Sequence, residues 1–144
     1  MKDMNFVPYV GVGPIRFDMK PADVEVVEGK PESTSTSGRG ELEEHRGDII
    51  VRYDSETNGV VEISFGSDGG LMLDNQDLYG SSNLTKYLLS KDPSPVECFG
   101  FLLFLDIGLA ATGFHDDDED QRAISIFRKG RWDSMKDNFS SISL

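Results

Sequence analysis

Val61, Ile63 and Phe65 alternate with Glu62 and Ser64, a period of two that puts one face of a strand in a core and the other toward water. The run Asp48 to Tyr53 before it is β-branched, and Asn58-Gly59 between the two is a turn signal. Residues 48–65 therefore predict an antiparallel hairpin. Gly66 to Gly70 turns the chain again, and Leu71-Met72-Leu73 predicts a third short strand.

The last third of the chain has a different pattern. Phe99 to Leu105 is almost continuously apolar, as in a strand covered on both faces. Ile107 to Phe114 and Ala123 to Arg128 read as two further strands, and the three together form a meander. Helical spacing is confined to two places. Pro21 suits a first helical turn, Val24 and Val27 stand three apart, and Gly29-Lys30-Pro31 is a stop signal. Asn83 can cap a second helix to Lys91, with Leu84, Tyr87 and Leu88 on one side and Asp92-Pro93 ending it. The predicted fold is α+β: an antiparallel β-sheet of five to six strands, built from the hairpin and the C-terminal meander, with two short helices packed on it.

Phe6 to Ile15 is apolar but punctuated by Pro and Gly, as in an extended segment laid on the core. Residues 32–40 carry no large apolar group and read as a flexible loop, and 138–144 as a tail that frays. With 144 residues, a single domain spanning 1–144 is expected, large enough to hold a core without disulfides or a structural metal. One cysteine, Cys98, permits no internal disulfide and suits a reducing compartment. The expected location is cytoplasmic, since the chain shows neither a signal-peptide pattern nor an apolar run of membrane-spanning length.

Charge changes the picture more than composition does. Asp and Glu number 26 against 14 Lys and Arg, a net charge of -12. Such a surface repels phosphate backbones and anionic lipid, so neither nucleic acid nor membrane is an expected partner. It attracts a basic protein. The acids concentrate in four segments: Glu41, Glu43 and Glu44; Asp54 and Glu56; Asp74 and Asp77; and Asp116, Asp117, Asp118, Glu119 and Asp120. These are the candidate partner-binding residues, able to steer a basic partner if they share one side of the molecule. Tyr79, Tyr87 and Trp132 are the candidate aromatic anchors.

Catalytic patterns are sparse. His115 before Asp116 to Asp120 offers hard oxygen ligands for a divalent cation, but without the spacing of a calcium loop it reads as an exposed acidic turn. His45 lies beside Glu41 to Glu44 with no nucleophile placed by a motif. Gly11-Val12-Gly13-Pro14 lacks the third glycine of a dinucleotide loop. Cys98, between Glu97 and an apolar strand, reads as a small core residue with a raised thiol pKa. The aromatic set Phe99, Phe101, Phe104, Phe114, Phe127 and Trp132 reads as core, and Arg128-Lys129-Gly130-Arg131 as a basic stretch paired with nearby acids. No catalytic residue, metal ligand or cofactor is assigned.

Gly13-Pro14-Ile15-Arg16-Phe17-Asp18-Met19, then Val24, then Gly29-Lys30-Pro31, resembles the pattern G-x-I-x-F-G-M-x-x-x-x-V-x-x-x-x-G-x-P. That pattern recurs in small α+β proteins of the outer-membrane assembly lipoprotein and β-lactamase-inhibitor-protein-like kind. The resemblance covers about twenty residues and implies a helix packed on an antiparallel sheet; Asp18 stands where the pattern has Gly. A lipoprotein role is not expected without the signal and its cysteine. The stretch Gly108 to Asp118, with Ala123 to Phe127 and Gly130 to Asp133, resembles cytosolic bacterial neighbours of polymorphic toxins, commonly immunity proteins. That resemblance implies a protein that binds and neutralises a cognate basic toxin, with a nuclease the leading candidate. The alternatives are a non-enzymatic structural or assembly module of the same fold and, behind it, a divalent-metal hydrolase using His115 and its carboxylates.

Overall fold

A computed structural model describes residues 4–80, 84–112 and 123–142. The chain runs through β1 (Met4–Val7), β2 (Gly11–Val12), β3 (Ile15–Arg16), α1 (Pro21–Glu28), β4 (Ser33–Thr36), β5 (Leu42–Arg46), β6 (Ile49–Tyr53) and β7 (Val60–Phe65). It continues through β8 (Leu71–Leu73), β9 (Gln76–Asp77), α2 (Leu84–Lys91), β10 (Val96–Cys98), β11 (Phe101–Phe104), β12 (Leu109–Thr112) and β13 (Ala123–Phe127). A 3-10 helix (Asp133–Asn138) and β14 (Ser140–Ser141) follow.

The β6–β7 hairpin and the β11–β13 meander form as their patterns predict, and β7 pairs with β13 to join them into one antiparallel sheet. That sheet has nine strands in the order β14-β10-β11-β12-β13-β7-β6-β5-β4. A second sheet, β3-β2-β1-β8-β9, contains one parallel pair, β1 with β8. The fold is α+β, but five to six strands is too low: the described residues contain 14 strands in two sheets. The extra strands are short or polar. Their backbone groups need partners, and a neighbouring strand supplies them without any apolar alternation to mark the segment in advance.

Ser33–Thr36, inside the segment read as a flexible loop, is the edge strand β4, paired in register with β5. Ser140–Ser141, in the segment read as a fraying tail, pairs with β10 at the other edge. Leu71–Leu73 is a strand, but it joins the small sheet. Both helices form. Pro21 opens α1, and the Asp23 carboxylate accepts the Lys20 backbone N–H at 3.0 Å, a capping arrangement. Val24 is buried whereas Val27 is exposed.

One face of the large sheet is the main core. Val51, Tyr53, Ile63, Phe65, Ile124 and Ile126 pack there against the small sheet, α1 through Val24, and α2 through Leu84 and Leu88. Burying each large side chain contributes about 1.5–3 kcal/mol. Gly11 lets the small sheet close, because a Cβ there would lie 2.1 Å from the Ile15 carbonyl oxygen. The opposite, outer face carries a smaller cluster: Cys98, Leu103, Ala110 and Phe127, flanked by Tyr9, Phe101, Trp132 and Met135. Burial pushes the Cys98 thiol pKa up. None of the helices among the described residues is long and apolar enough to cross a membrane.

Candidate functional site

The outer face of the large sheet holds a cavity of about 450 Å³. Its position follows from side-chain size along one row of the sheet. Ser64 of β7, Ser125 of β13 and Ala110 of β12 are neighbours in register, so three small side chains lie side by side where large ones would fill the space. Phe99, Phe101, Trp132 and Met135 form an apolar wall; Arg39, Arg52, Glu62 and Arg131 form a charged one. The 3-10 helix supplies Met135, and Trp132 precedes it. The Trp132 ring packs on Phe101 at 5.4 Å and on Phe127 at 6.4 Å, and Phe127 meets Tyr9 edge to face at 6.3 Å. Trp132 and Phe101, read as core, therefore border open space.

Phe99 departs furthest from the sequence reading. It is 69% exposed, at the tip of the β10–β11 hairpin. Cys98 pairs with Phe101, so Phe99 and Gly100 alone connect the strands, with φ of 51° and 87°. Two left-handed residues in a two-residue hairpin loop are the signature of a type I′ turn, where Asn-Gly is the favoured sequence. A non-glycine residue in this region costs about 1–2 kcal/mol.

The charged wall is a chain of ion pairs. Arg52 Nε donates to Glu43 Oε2 at 2.5 Å, and Arg52 Nη1 donates to Glu62 Oε2 at 2.5 Å and to Ser64 Oγ at 2.9 Å. Arg131 Nε lies 3.6 Å from Glu62 Oε1, and its two terminal nitrogens donate to the two oxygens of Glu41. The Glu43-Arg52-Glu62 part lies on adjacent strands in register. Hydrogen bonding to Arg131 holds the Glu41 carboxyl below its usual pKa, overcoming the burial that opposes it. Among the described residues Arg39, at the rim, makes no close salt bridge, though its charge also helps to hold the Glu41 pKa down.

The predicted acidic segments separate along these lines. Strand alternation puts Glu43 on the outer face and Glu44 on the core face, where Glu44 accepts from the Tyr53 hydroxyl at 2.6 Å and from Arg46 at 3.1 Å. Glu41 and Glu44 are buried. Asp54 accepts the backbone N–H groups of Glu56 and Thr57, which lowers its pKa, and lies 3.6 Å from Arg128. Glu56 is exposed. Asp74, in the β8–β9 hairpin, binds Lys91 and Tyr87, and the Lys91 bond lowers its pKa. Asp77 accepts the Tyr79 backbone N–H. Asp116, Asp117, Asp118, Glu119 and Asp120 lie outside the described residues, as do Phe114 and His115. The structure thus brings Glu41 and Glu43 to the cavity's charged wall and leaves Glu44 on the opposite face.

The basic stretch pairs with acids, but with acids remote in sequence: Arg128 with Asp18 and Asp54, and Arg131 with Glu41 and Glu62. Of the candidate anchors, Tyr79 is used internally. Its hydroxyl donates to the Phe65 carbonyl at 2.6 Å and accepts the Ile124 N–H at 2.9 Å, and burial pushes its pKa up to about 12. Tyr87 bonds Asp74, and Trp132 is at the cavity. His45 does meet a hydroxyl, with Nε2 2.9 Å from Ser35 Oγ. Glu43 contacts that same serine at 3.3 Å instead of orienting the imidazole, so the acid-base-nucleophile order of a triad is not formed. Among the described residues no three His, Cys, Asp or Glu side chains gather as metal ligands.

The residues that sequence reasoning missed are Phe99, Ser64, Ser125 and Arg39. Phe99-Gly100 between two apolar runs is the one local signal that could have exposed a hairpin tip. No protein family, curated protein or solved structure matches the chain.

Proposed function

We propose that the protein is a non-enzymatic binding module, an immunity protein that docks on and neutralises a cognate bacterial toxin through its outer face. The observation that carries this reading is Phe99: a large apolar side chain, 69% exposed, in a left-handed conformation at the rim of a cavity. Asn at the same turn position would be less strained and better solvated, so the phenyl ring is explained by what it contacts in a complex. Interface anchors are commonly aromatic groups of this kind, surrounded by polar residues that exclude water. The net charge of -12 adds long-range attraction for a basic partner, such as a nuclease whose own surface is built to hold phosphate.

The test is survival of cells producing the toxin encoded by the adjacent gene, with inhibition and binding measured on purified components. The proposal expects protection, binding that weakens with added salt, and loss of both in Phe99→Ala with the fold retained. Absence of binding and of protection by the unaltered protein overturns it. The apolar wall of the cavity favours one second reading, a structural or assembly module of the same fold; its sign would be stable incorporation into a larger complex with no effect on the toxin.

A further inference from the structure

We infer that the outer-face cavity is a binding site for a small organic carboxylate with an aromatic or aliphatic body. The inference rests on the cavity's own chemistry and is independent of the toxin-binding reading. About 450 Å³ lies within the 300–1,000 Å³ usual for small-ligand sites, and the combination of an apolar wall with a few polar groups is their usual lining.

The unused hydrogens of that lining decide the ligand's polar end. Ser64 Oγ takes an N–H from Arg52, and the Ser64 and Ser125 hydroxyls share one bond at 2.8 Å. Only one of the two hydroxyl protons is consumed by that bond, which leaves the other for a ligand on the cavity floor. The indole N–H of Trp132 has no hydrogen-bond partner among the described residues, but it is shielded and does not open on the cavity, so the ring meets a ligand through its apolar surface. Arg39 makes no close salt bridge among the described residues; its charge acts on Glu41 from a distance, which leaves its N–H groups open to a ligand. The one carboxylate of the lining, Glu62, is already engaged by Arg52 and Arg131. The open groups of the lining are therefore donors: one serine hydroxyl on the floor and the Arg39 guanidinium at the rim.

Charge points the same way. Arg39, Arg52 and Arg131 are matched by Glu41, Glu43 and Glu62, so this region is neutral within a protein whose net charge is -12. An anion meets no local excess of acid here, and a guanidinium offers it two parallel N–H bonds. The ligand's apolar body would lie against Phe101, Trp132 and Met135 while its carboxylate meets Arg39.

Trp132 is the only tryptophan, so its fluorescence reports on the site. The full chain is titrated with 3-phenylpropionate and, separately, with 3-phenylpropionamide, and backbone amide shifts are followed by NMR. The expected result is saturable binding of the acid, with shifts confined to residues around Ser64, Ser125 and Trp132, and binding of the amide at least tenfold weaker. Arg39→Gln should weaken acid binding about tenfold and leave amide binding and Tm unchanged; Lys30→Gln, which removes an exposed cation after α1, should change neither. Equal affinity for acid and amide, insensitivity to Arg39→Gln, equal loss in Lys30→Gln, or no saturable binding of the acid each overturns the inference. Toxin protection is scored separately and can fail or succeed with either result.

Discussion

Arg131 grips Glu41 through both terminal nitrogens across 90 residues of sequence, joining the end of the last long strand to the start of β5. Both side chains are nearly buried, with 10% and 6% exposure. A guanidinium and a carboxylate in that setting stabilise the fold only as a pair, because each alone would be a desolvated charge.

Removing one partner should therefore be costly. Arg131→Ala leaves Glu41 and Glu62 facing each other without their shared cation, and a loss of about 3–5 kcal/mol in urea unfolding is expected. Replacing the carboxylate with its neutral isostere, Glu41→Gln, keeps a hydrogen-bond acceptor and should cost visibly less. Equal losses in the two variants would show that packing, rather than charge, accounts for the effect.

The same pair predicts acid sensitivity. In the folded protein the Glu41 pKa is lowered from its ordinary 4.5, so as pH falls the unfolded chain takes up its proton first. The stabilisation is complete above that ordinary value and is lost as pH descends through the folded one. Asp54 and Asp74, also lowered, act in the same direction. Stability measured from pH 6 down to pH 2 should fall, and the slope below pH 4.5 should be shallower in Glu41→Gln than in the unaltered protein.

At the hairpin tip, stability and binding should move in opposite directions. Phe99→Asn puts a residue suited to the left-handed region at φ 51° and should raise stability by about 1 kcal/mol. It should also weaken partner binding by removing the exposed ring. Calorimetric Tm and the protection assay measure the two effects; a lower Tm would remove the case that this turn is strained.

Asp18 offers a test of the N-terminal pattern. Its φ is 71°, the conformation suited to the Gly that the pattern carries there, and its carboxylate accepts from Arg128 at 2.8 Å. Asp18→Gly and Asp18→Ala both remove the carboxylate, which as an exposed partner is worth about 0–1 kcal/mol. Only Ala retains the backbone penalty, so Gly should be the more stable variant by about 1 kcal/mol in denaturant unfolding.

The legible parts of the chain were those whose reason for existing is local. Alternation at Val61, Ile63 and Phe65 with Asn58-Gly59 before it marked the central hairpin; Pro21 and Gly29-Lys30-Pro31 bracketed α1; the β-rich last third formed its meander. Strand β4 was not legible, since Ser33 to Thr36 gains its structure from hydrogen bonds to β5 rather than from any apolar side chain.

Sequence by itself determined the α+β class, the central strands, both helices, the excess of acids and their four clusters. Tertiary structure alone decided what the acids among the described residues do. Alternation in β5 sent Glu43 and Glu44 to opposite faces, and the return of Arg131 neutralised Glu41. Register between β7, β13 and β12 lined up three small side chains to leave a cavity. Charge and period are properties of neighbours along the chain, whereas pairing and empty space depend on which distant strands lie side by side.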